Sequence, residues 1–510
     1  MDRRLDERAV HMDIKVRIGQ AAFTFRGALE SHFQRFREQT IGIHHHFDSP
    51  FGKQRMIYAD WTASGRLYAP IEKKLSEEIG PFVANTHTES NITGTKMTLA
   101  YKKAKEMIKH HVNANTDDVI IMTDSGTTGA INKLQRILGI RIAEQLKNRL
   151  SFSHEERPII FVTHMEHHSN ILSWMETIGD VVTIRPTNNG DVDMGHLKQL
   201  LNQYRHRKVK IGAFTACSNV TGIQTPYHQL AKIMHEHGGV CFVDFAASAP
   251  YTAINMHPDD PLEKLDGIFF SPHKFLGGPG SAGVLIFDSR LYQNNVPDHP
   301  GGGTVLWTNP WGEYQYISDI ESREDGGTPP FLQTIKAALA IKLKEQMGVE
   351  NIIEREKEMV SILLSNLKTI PHVHILEGHR EDRLGIVSFT IEGIHYNLAV
   401  KLLNDRFGIQ VRGGCSCAGP YGHYLLKIDK QKSKQITQQI QQGNFLHKPG
   451  WIRVSLHPIM TNEEIYEIVR AIRYITLYKD EWKKDYIYSK EKNEFYHLKD
   501  NKDIRQLFEI

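Results

Sequence analysis

Between residues 119 and 270 the chain repeats one arrangement, a short unbroken apolar run followed by a polar stretch of helical length. The runs are Val119-Ile-Ile-Met, Ile159-Ile-Phe-Val, Val181-Val-Thr-Ile, Ile211-Gly-Ala-Phe, Val240-Cys-Phe-Val and Ile268-Phe-Phe, and helix-like segments at 127–147, 195–206 and 226–238 stand between them. A strand that is apolar at every position must be covered on both faces, and parallel neighbours need long crossovers between them. The pattern therefore predicts an α/β unit with a mostly parallel sheet clad in helices.

At 510 residues the chain exceeds one average domain. Pro and Gly cluster at 297–303 and 326–330, and the pattern then changes. A helical stretch over 331–368 leads to strand-like Gly385–Ile391, helix-like 395–407, strand-like Trp451–Leu456 and helix-like 461–477, a smaller α+β unit. The expected organisation is a polar, helix-prone segment (1–55), a large domain (56–325), a small C-terminal domain (326–478) and a charged, aromatic extension (479–510). Residues 427–447, rich in Lys and Gln, read as an exposed insertion, and His44-His45-His46 as a solvated surface run.

A formal charge of +3 gives no bulk attraction to nucleic acid or membrane. No apolar stretch is long enough to span a bilayer, and the first residues lead into no secretory apolar run. Cys217, Cys241, Cys415 and Cys417 form no disulfide framework, so a reducing cytoplasm is expected.

Ligands of a parallel sheet sit beyond the carboxyl ends of its strands. Five runs here end in polar, ionisable groups. Ser125-Gly-Thr127-Thr128 before a helix is either an anion site or an ordinary N-cap. Asp244 ends a buried run, where a carboxylate needs a cation such as a protonated pyridine nitrogen, unless it caps the next helix. Ser271-Pro-His273-Lys274 puts a lysine where desolvation makes the amine nucleophilic enough for Schiff-base chemistry, unless it snorkels to solvent, a reading that the flanking Gly277-Gly-Pro-Gly280 weakens. His167 can stack on an aromatic ring. The spacing of His164, His167 and His168 matches no zinc signature, and no metal is expected. Cys217-Ser-Asn219 supplies the fifth strand end.

A second centre follows in Arg412-Gly-Gly-Cys415-Ser-Cys417-Ala-Gly-Pro. A guanidinium among glycines suits a carboxylate, and a cysteine on a Gly-rich loop beside it is either a thiolate nucleophile or part of a redox-active pair.

Taken in order, Ser-Gly-Thr-Thr, Glu-His-His-Ser-Asn, Ser-Asn-Val-Thr-Gly, Val-Asp-Phe-Ala, Ser-Pro-His-Lys and Arg-Gly-Gly-Cys-Ser-Cys-Ala resemble the class V aminotransferase family, nearest its cysteine desulfurases and selenocysteine lyases. The resemblance covers about residues 56–475, from Tyr58-Ala-Asp-Trp-Thr-Ala-Ser onward. It implies fold type I of the pyridoxal-5'-phosphate (PLP) enzymes, and a homodimer with shared active sites. Lys274 would hold PLP and later move the proton, Asp244 would pair with the ring nitrogen, and His167 would stack on the ring. Thr127, Thr128, Ser271 and His273 would hold the phosphate, with Thr328 donated by a partner subunit. Asn219 would approach the ring hydroxyl and substrate carboxylate, Arg412 would clamp that carboxylate, and Cys417 would accept sulfur from a small amino acid for passage to an acceptor protein. The sequence departs from the family at Ala247, where Gln is usual, and at the extra Cys415. The implied activity is cysteine desulfuration, the alternative a class V aminotransferase or PLP lyase that does not use the thiol.

Overall fold

The computed structural model describes residues 28–86, 88–147 and 149–499. The opening residues, expected to carry no secretory signal, and residues 500–510 of the extension lie outside that range.

Seven strands form the central sheet: β1 (Asp118–Thr123), β2 (Ile159–Val162), β3 (Asp180–Thr183), β4 (Lys210–Thr215), β5 (Val240–Asp244), β6 (Gly267–Phe270) and β7 (Gly283–Asp288). Their order is β1-β7-β6-β5-β4-β2-β3. β2 to β6 pair in parallel, while β7 runs antiparallel to both β1 and β6. The six expected strands are all present. β7 is an addition, since its apolar run follows β6 without an intervening helix, and an antiparallel neighbour needs none.

Alternate residues of β1 enter different cores, as the two-residue period of a strand requires. Ile120 and Met122 pack with Tyr101, Ala104 and Ile108 of helix α1 (Ile92–His111), and Val119 and Ile121 with Ala130, Ile131 and Leu134 of helix α2 (Gly126–Ile137). Every residue of β2, β6 and β7 is buried. The helical stretch at 331–368 is two helices, α3 (Phe331–Met347) and α4 (Val349–Leu367), because Gly348 takes φ +80° between them. α3 packs against α1, so its core is shared with the large sheet.

The smaller unit is a four-stranded sheet of β8 (Val373–Ile375), β9 (Ile386–Ile391), β10 (Arg412–Gly414) and β11 (Trp451–Ser455), ordered β8-β9-β11-β10 and antiparallel throughout. Helices α5 (Tyr396–Phe407), α6 (Gly419–Leu425), α7 (Lys430–Gln441) and α8 (Asn462–Trp482) accompany it. α7 lies in the expected insertion and contributes no buried residue.

The N-terminal segment is less of an appendage than its polarity suggests. Phe33, Phe36, Ile57 and Trp61 enter the small sheet's core, and Ile57–Tyr58 pairs in parallel with Ile409–Gln410. Arg37 forms a buried two-pronged ion pair with Glu464 in the first turn of α8. The extension folds back as a hairpin, Tyr486–Ser489 with Glu494–His497, anchored by the Tyr486 hydroxyl on Asp405 of α5 at 3.0 Å.

Tight backbone packing fixes the turn that carries Lys274. A Cβ on Gly278 would stand 1.8 Å from the Pro272 carbonyl oxygen. Gly278→Ala should therefore lower unfolding free energy by about 1–3 kcal/mol. Denaturant titration checks this, and an unchanged midpoint would show that the turn can yield.

Candidate active site

Loops beyond the carboxyl ends of β1, β2, β4, β5 and β6 meet the small sheet around a cavity of about 270 Å³. Lys274, Cys417, His167, Asp244, Thr127, Thr128, Asn219, Ser271, His273 and Arg412 all line it. Thr328 does not; it is exposed elsewhere on the chain.

One end of the cavity is built from hydroxyls. Gly126 opens α2 at φ +57°, where a Cβ would stand 2.7 Å from Ser271 Oγ. That approach lets the Thr127 N–H donate to Ser271 Oγ at 2.8 Å, with Thr127 Oγ1 also 2.8 Å away. Thr128 and Ser169 join their hydroxyls at 2.7 Å, and Ser125 and His273 complete the wall. Hydroxyls at the positive end of a twelve-residue helix are matched to a phosphate.

On the floor, Asp244 is 3% exposed and accepts one hydrogen bond, from the Ala246 N–H at 2.9 Å. No cation among the described residues comes within ion-pair distance of it. Desolvation raises its pKa to about 6 against the pull of that N–H and of Lys274. A buried carboxylate facing a cavity in this way is suited to a protonated ring nitrogen. His167 is held as a neutral imidazole, pushed down to about 3 by burial and then by the charge of Lys274. Its Nδ1 accepts from the Ser169 N–H at 3.1 Å.

Lys274 ends the single turn Pro272–Lys274. Burial lowers its pKa to about 8; Asp244 opposes the shift, and Arg453 and Arg412 add to it. The sign follows directly. A folded pKa below the unfolded value of 10.5 means the native state loses this proton first, so stability from this group rises with pH between about 8 and 10.5. Capture of a small aldehyde at Lys274, trapped with borohydride and located by peptide mapping, should reach half its maximum near pH 8. A midpoint above 10 would remove the inference.

At the opposite end two arginines share one carboxylate. β10 and β11 pair with Arg412 directly opposite Arg453. Arg453 is buried and donates to Asp60 Oδ1 at 2.8 Å and to the Asn219 carbonyl at 3.1 Å. Arg412 reaches Asp60 Oδ2 through Nε and Nη2, both at 3.0 Å, with its side chain 52% exposed. Arg453 Nε, Asn219 Oδ1 and Thr62 Oγ1 are buried without partners. The guanidinium charge, the free Arg453 Nε–H and the Thr62 hydroxyl there match the carboxylate of an amino acid, whereas Asn219 Oδ1 can only accept a hydrogen bond.

Cys417 sits on the loop from β10 to α6. Ser416 and Cys417 both take positive φ, +49° and +56°. Each such residue costs about 1–3 kcal/mol and persists only where its surroundings impose it. Here the Asn219 amide donates to the Ser416 carbonyl, and the His168 N–H to the Cys417 carbonyl, each at 2.7 Å. The Gly419 N–H returns to His168 Nε2 at 2.9 Å. Cys417 is exposed and lines the cavity, whereas Cys415 is half-buried against the large core and does not.

Arg453, Asp60, Thr62 and Ser169 line or brace this site without having been given a role from the sequence. Arg453 had a readable signal: it is the lone cation within the apolar run Trp451-Ile-Arg-Val-Ser-Leu, and all of β11 is buried.

Residues 57–468 match the family model described as Aminotransferase class-V. A probable cysteine desulfurase of Staphylococcus epidermidis is 30% identical over 425 residues, covering 82% of this chain and 92% of the relative. One from Staphylococcus aureus is 28% identical over 431 residues, 84% and 93% of the two chains. Among solved structures, the apo cysteine desulfurase of Thermococcus onnurineus superposes with a TM-score of 0.69 at 22% identity, over 87% of this chain and 98% of that one. The desulfurase CsdA of Escherichia coli gives 0.66 at 21% identity, over 87% and 98%.

Proposed function

The chain belongs to the class-V aminotransferase family of PLP-dependent enzymes, with the fold type I architecture, and from that premise we propose that it is a cysteine desulfurase, converting L-cysteine to L-alanine and leaving the sulfur on Cys417. One observation carries the reading. Of the two cysteines on its loop, Cys417 alone shares a cavity with Lys274 and with the buried Arg453.

The residues present fit PLP. Thr127, Thr128, Ser271 and His273 would hold the phosphate, Asp244 the ring nitrogen, His167 the ring face and Lys274 the carbonyl carbon. When bound, the cofactor supplies an electron sink for charge at the substrate's Cα. The protein does the rest. Arg453 and Arg412 hold the substrate carboxylate, with the Thr62 hydroxyl free to donate to it, and Asn219 Oδ1 is left to accept from the ring hydroxyl. Lys274 Nζ takes the Cα proton and later returns one. The Cys417 thiolate attacks the substrate sulfur; an S–S bond forms, the C–S bond breaks, and its electron pair stays with carbon, which is protonated to give alanine.

Incubation of the purified protein with L-cysteine and a reductant should yield L-alanine and sulfide in equal amounts. Absence of alanine overturns the proposal. One observation favours a second reading. Ala247 lines the cavity where the family usually carries Gln, leaving that wall without an amide. An aminotransferase would instead exchange amino groups with a keto acid.

Thr328 would be donated to the phosphate site of a second copy in a homodimer; its exposure outside its own cavity leaves it available for that. All four cysteines are free, which suits the reducing cytoplasm. No helix among the described residues is long and apolar enough to cross a membrane.

A further inference from the structure

Residues 427–448 hold five lysines, Lys427, Lys430, Lys432, Lys434 and Lys448, against one carboxylate. That carboxylate, Asp429, is occupied in capping α7, where it accepts the Lys432 N–H at 2.8 Å. None of the five lysines has an acidic partner within ion-pair distance among the described residues. Four are exposed, and Lys448 is half-buried. A surface of one sign attracts and steers an oppositely charged partner.

Its position is specific. The Cys417 carbonyl accepts from the His168 N–H, and His168 Nε2 accepts from the Gly419 N–H. The Gly419 carbonyl lies 2.8 Å from His423 Nδ1, and His423 Nε2 lies 2.9 Å from Ser433 Oγ on α7. These contacts tie the insertion to the thiol loop. Lys448 acts on the same point, since its charge, after burial, lowers the pKa of His168. Between α6 and α7 runs an open groove of about 430 Å³ in which Ile428 lies alongside Lys430 and Lys434.

We propose that the 427–448 insertion is a docking surface for an acidic segment of a sulfur-acceptor protein, holding it beside Cys417. This rests on the desulfurase reading and adds the partner's chemistry to it. In the transfer, the acceptor thiolate attacks the outer sulfur of the Cys417 persulfide. A new S–S bond forms on the acceptor, the bond to Cys417 breaks, and Cys417 leaves as thiolate.

The docking surface is testable without turnover of L-cysteine. Acetylated Glu-Glu-Glu-Glu-Cys and Lys-Lys-Lys-Lys-Cys, each activated as a thionitrobenzoate disulfide, react with Cys417 of the intact protein and release a coloured thiol. The acidic peptide should react about tenfold faster at low salt, and the preference should vanish near 1 M salt. A Lys430→Glu, Lys432→Glu, Lys434→Glu variant should reverse it while keeping its rate with neutral dithiodipyridine within about twofold. If that neutral rate also falls, the milder Lys→Gln set decides, with loss of the preference expected. Equal peptide rates in the unmodified protein, or a preference that survives both variants, overturns the proposal. So does stronger protection of Cys417 by an oligothymidylate than by octaglutamate, which would make the surface a nucleic-acid site. Alanine formation from L-cysteine, measured on the same samples, reports on the desulfurase reading alone, so the two fail separately.

Discussion

Lys274→Ala abolishes covalent retention of PLP after borohydride reduction and lowers amino-acid turnover about 10⁴-fold. Two roles are lost together, the amine that condenses with the cofactor and the base at Cα. No other amine among the described residues lines the cavity, and the remaining cations there, Arg412 and Arg453, cannot give up a proton near neutral pH. Lys274→Arg separates charge from chemistry, since it keeps a cation near Asp244 yet cannot condense. Both variants should stay folded, because the lysine is already penalised by burial. Mass spectrometry of the reduced protein decides the matter. A cofactor adduct surviving on Lys274→Ala would place the reactive amine elsewhere.

Cys417→Ser stops alanine formation from L-cysteine by three orders of magnitude or more, as expected when a nucleophile is removed and the rest of its site remains. Covalent cofactor retention at Lys274 stays intact. Serine suits the positive φ of this position no worse than cysteine does, so the loop keeps its shape. Cys415→Ser should hold activity within about threefold, because that thiol faces the large core. Quantifying alanine for the three proteins tests the assignment. Full alanine formation in Cys417→Ser would favour a PLP lyase that does not use the thiol, whereas the aminotransferase reading requires keto-acid-dependent amino exchange in all three proteins.

The large sheet was legible because most of its strands are buried on both faces and so read as unbroken apolar runs, the half-buried edge strand β3 being the exception. Asp244, Lys274 and Ser271 were legible for the same reason: polar groups at the end of an apolar run stand out. β7 escaped because its run follows β6 without a helix. Arg453 escaped because a buried strand was read as such and its one cation passed over. The pairing of Asp60 with both arginines could not be read at all. It joins residues more than 350 positions apart, which the parallel pairing of Ile57–Tyr58 with Ile409–Gln410 and the bridge from Asp60 to Ser455 bring together. The N-terminal segment misled for a related reason, since Phe33 and Phe36 sit among charges whose partners, such as Glu464, lie far along the sequence.

β11 is the last strand of its sheet to be made, yet it lies between β9 and β10. Strand β10 has no other partner in that sheet, and it leads straight into the Cys417 loop. All strands of the large sheet are made by Asp288, so the elements carrying Lys274 and the phosphate end leave the ribosome well before the thiol loop gains its support. Arg453, on the same late strand, arrives only then. The order of translation thus works as an interlock: the strand that leads into the Cys417 loop gains its sheet partner only when β11 is threaded between β9 and β10.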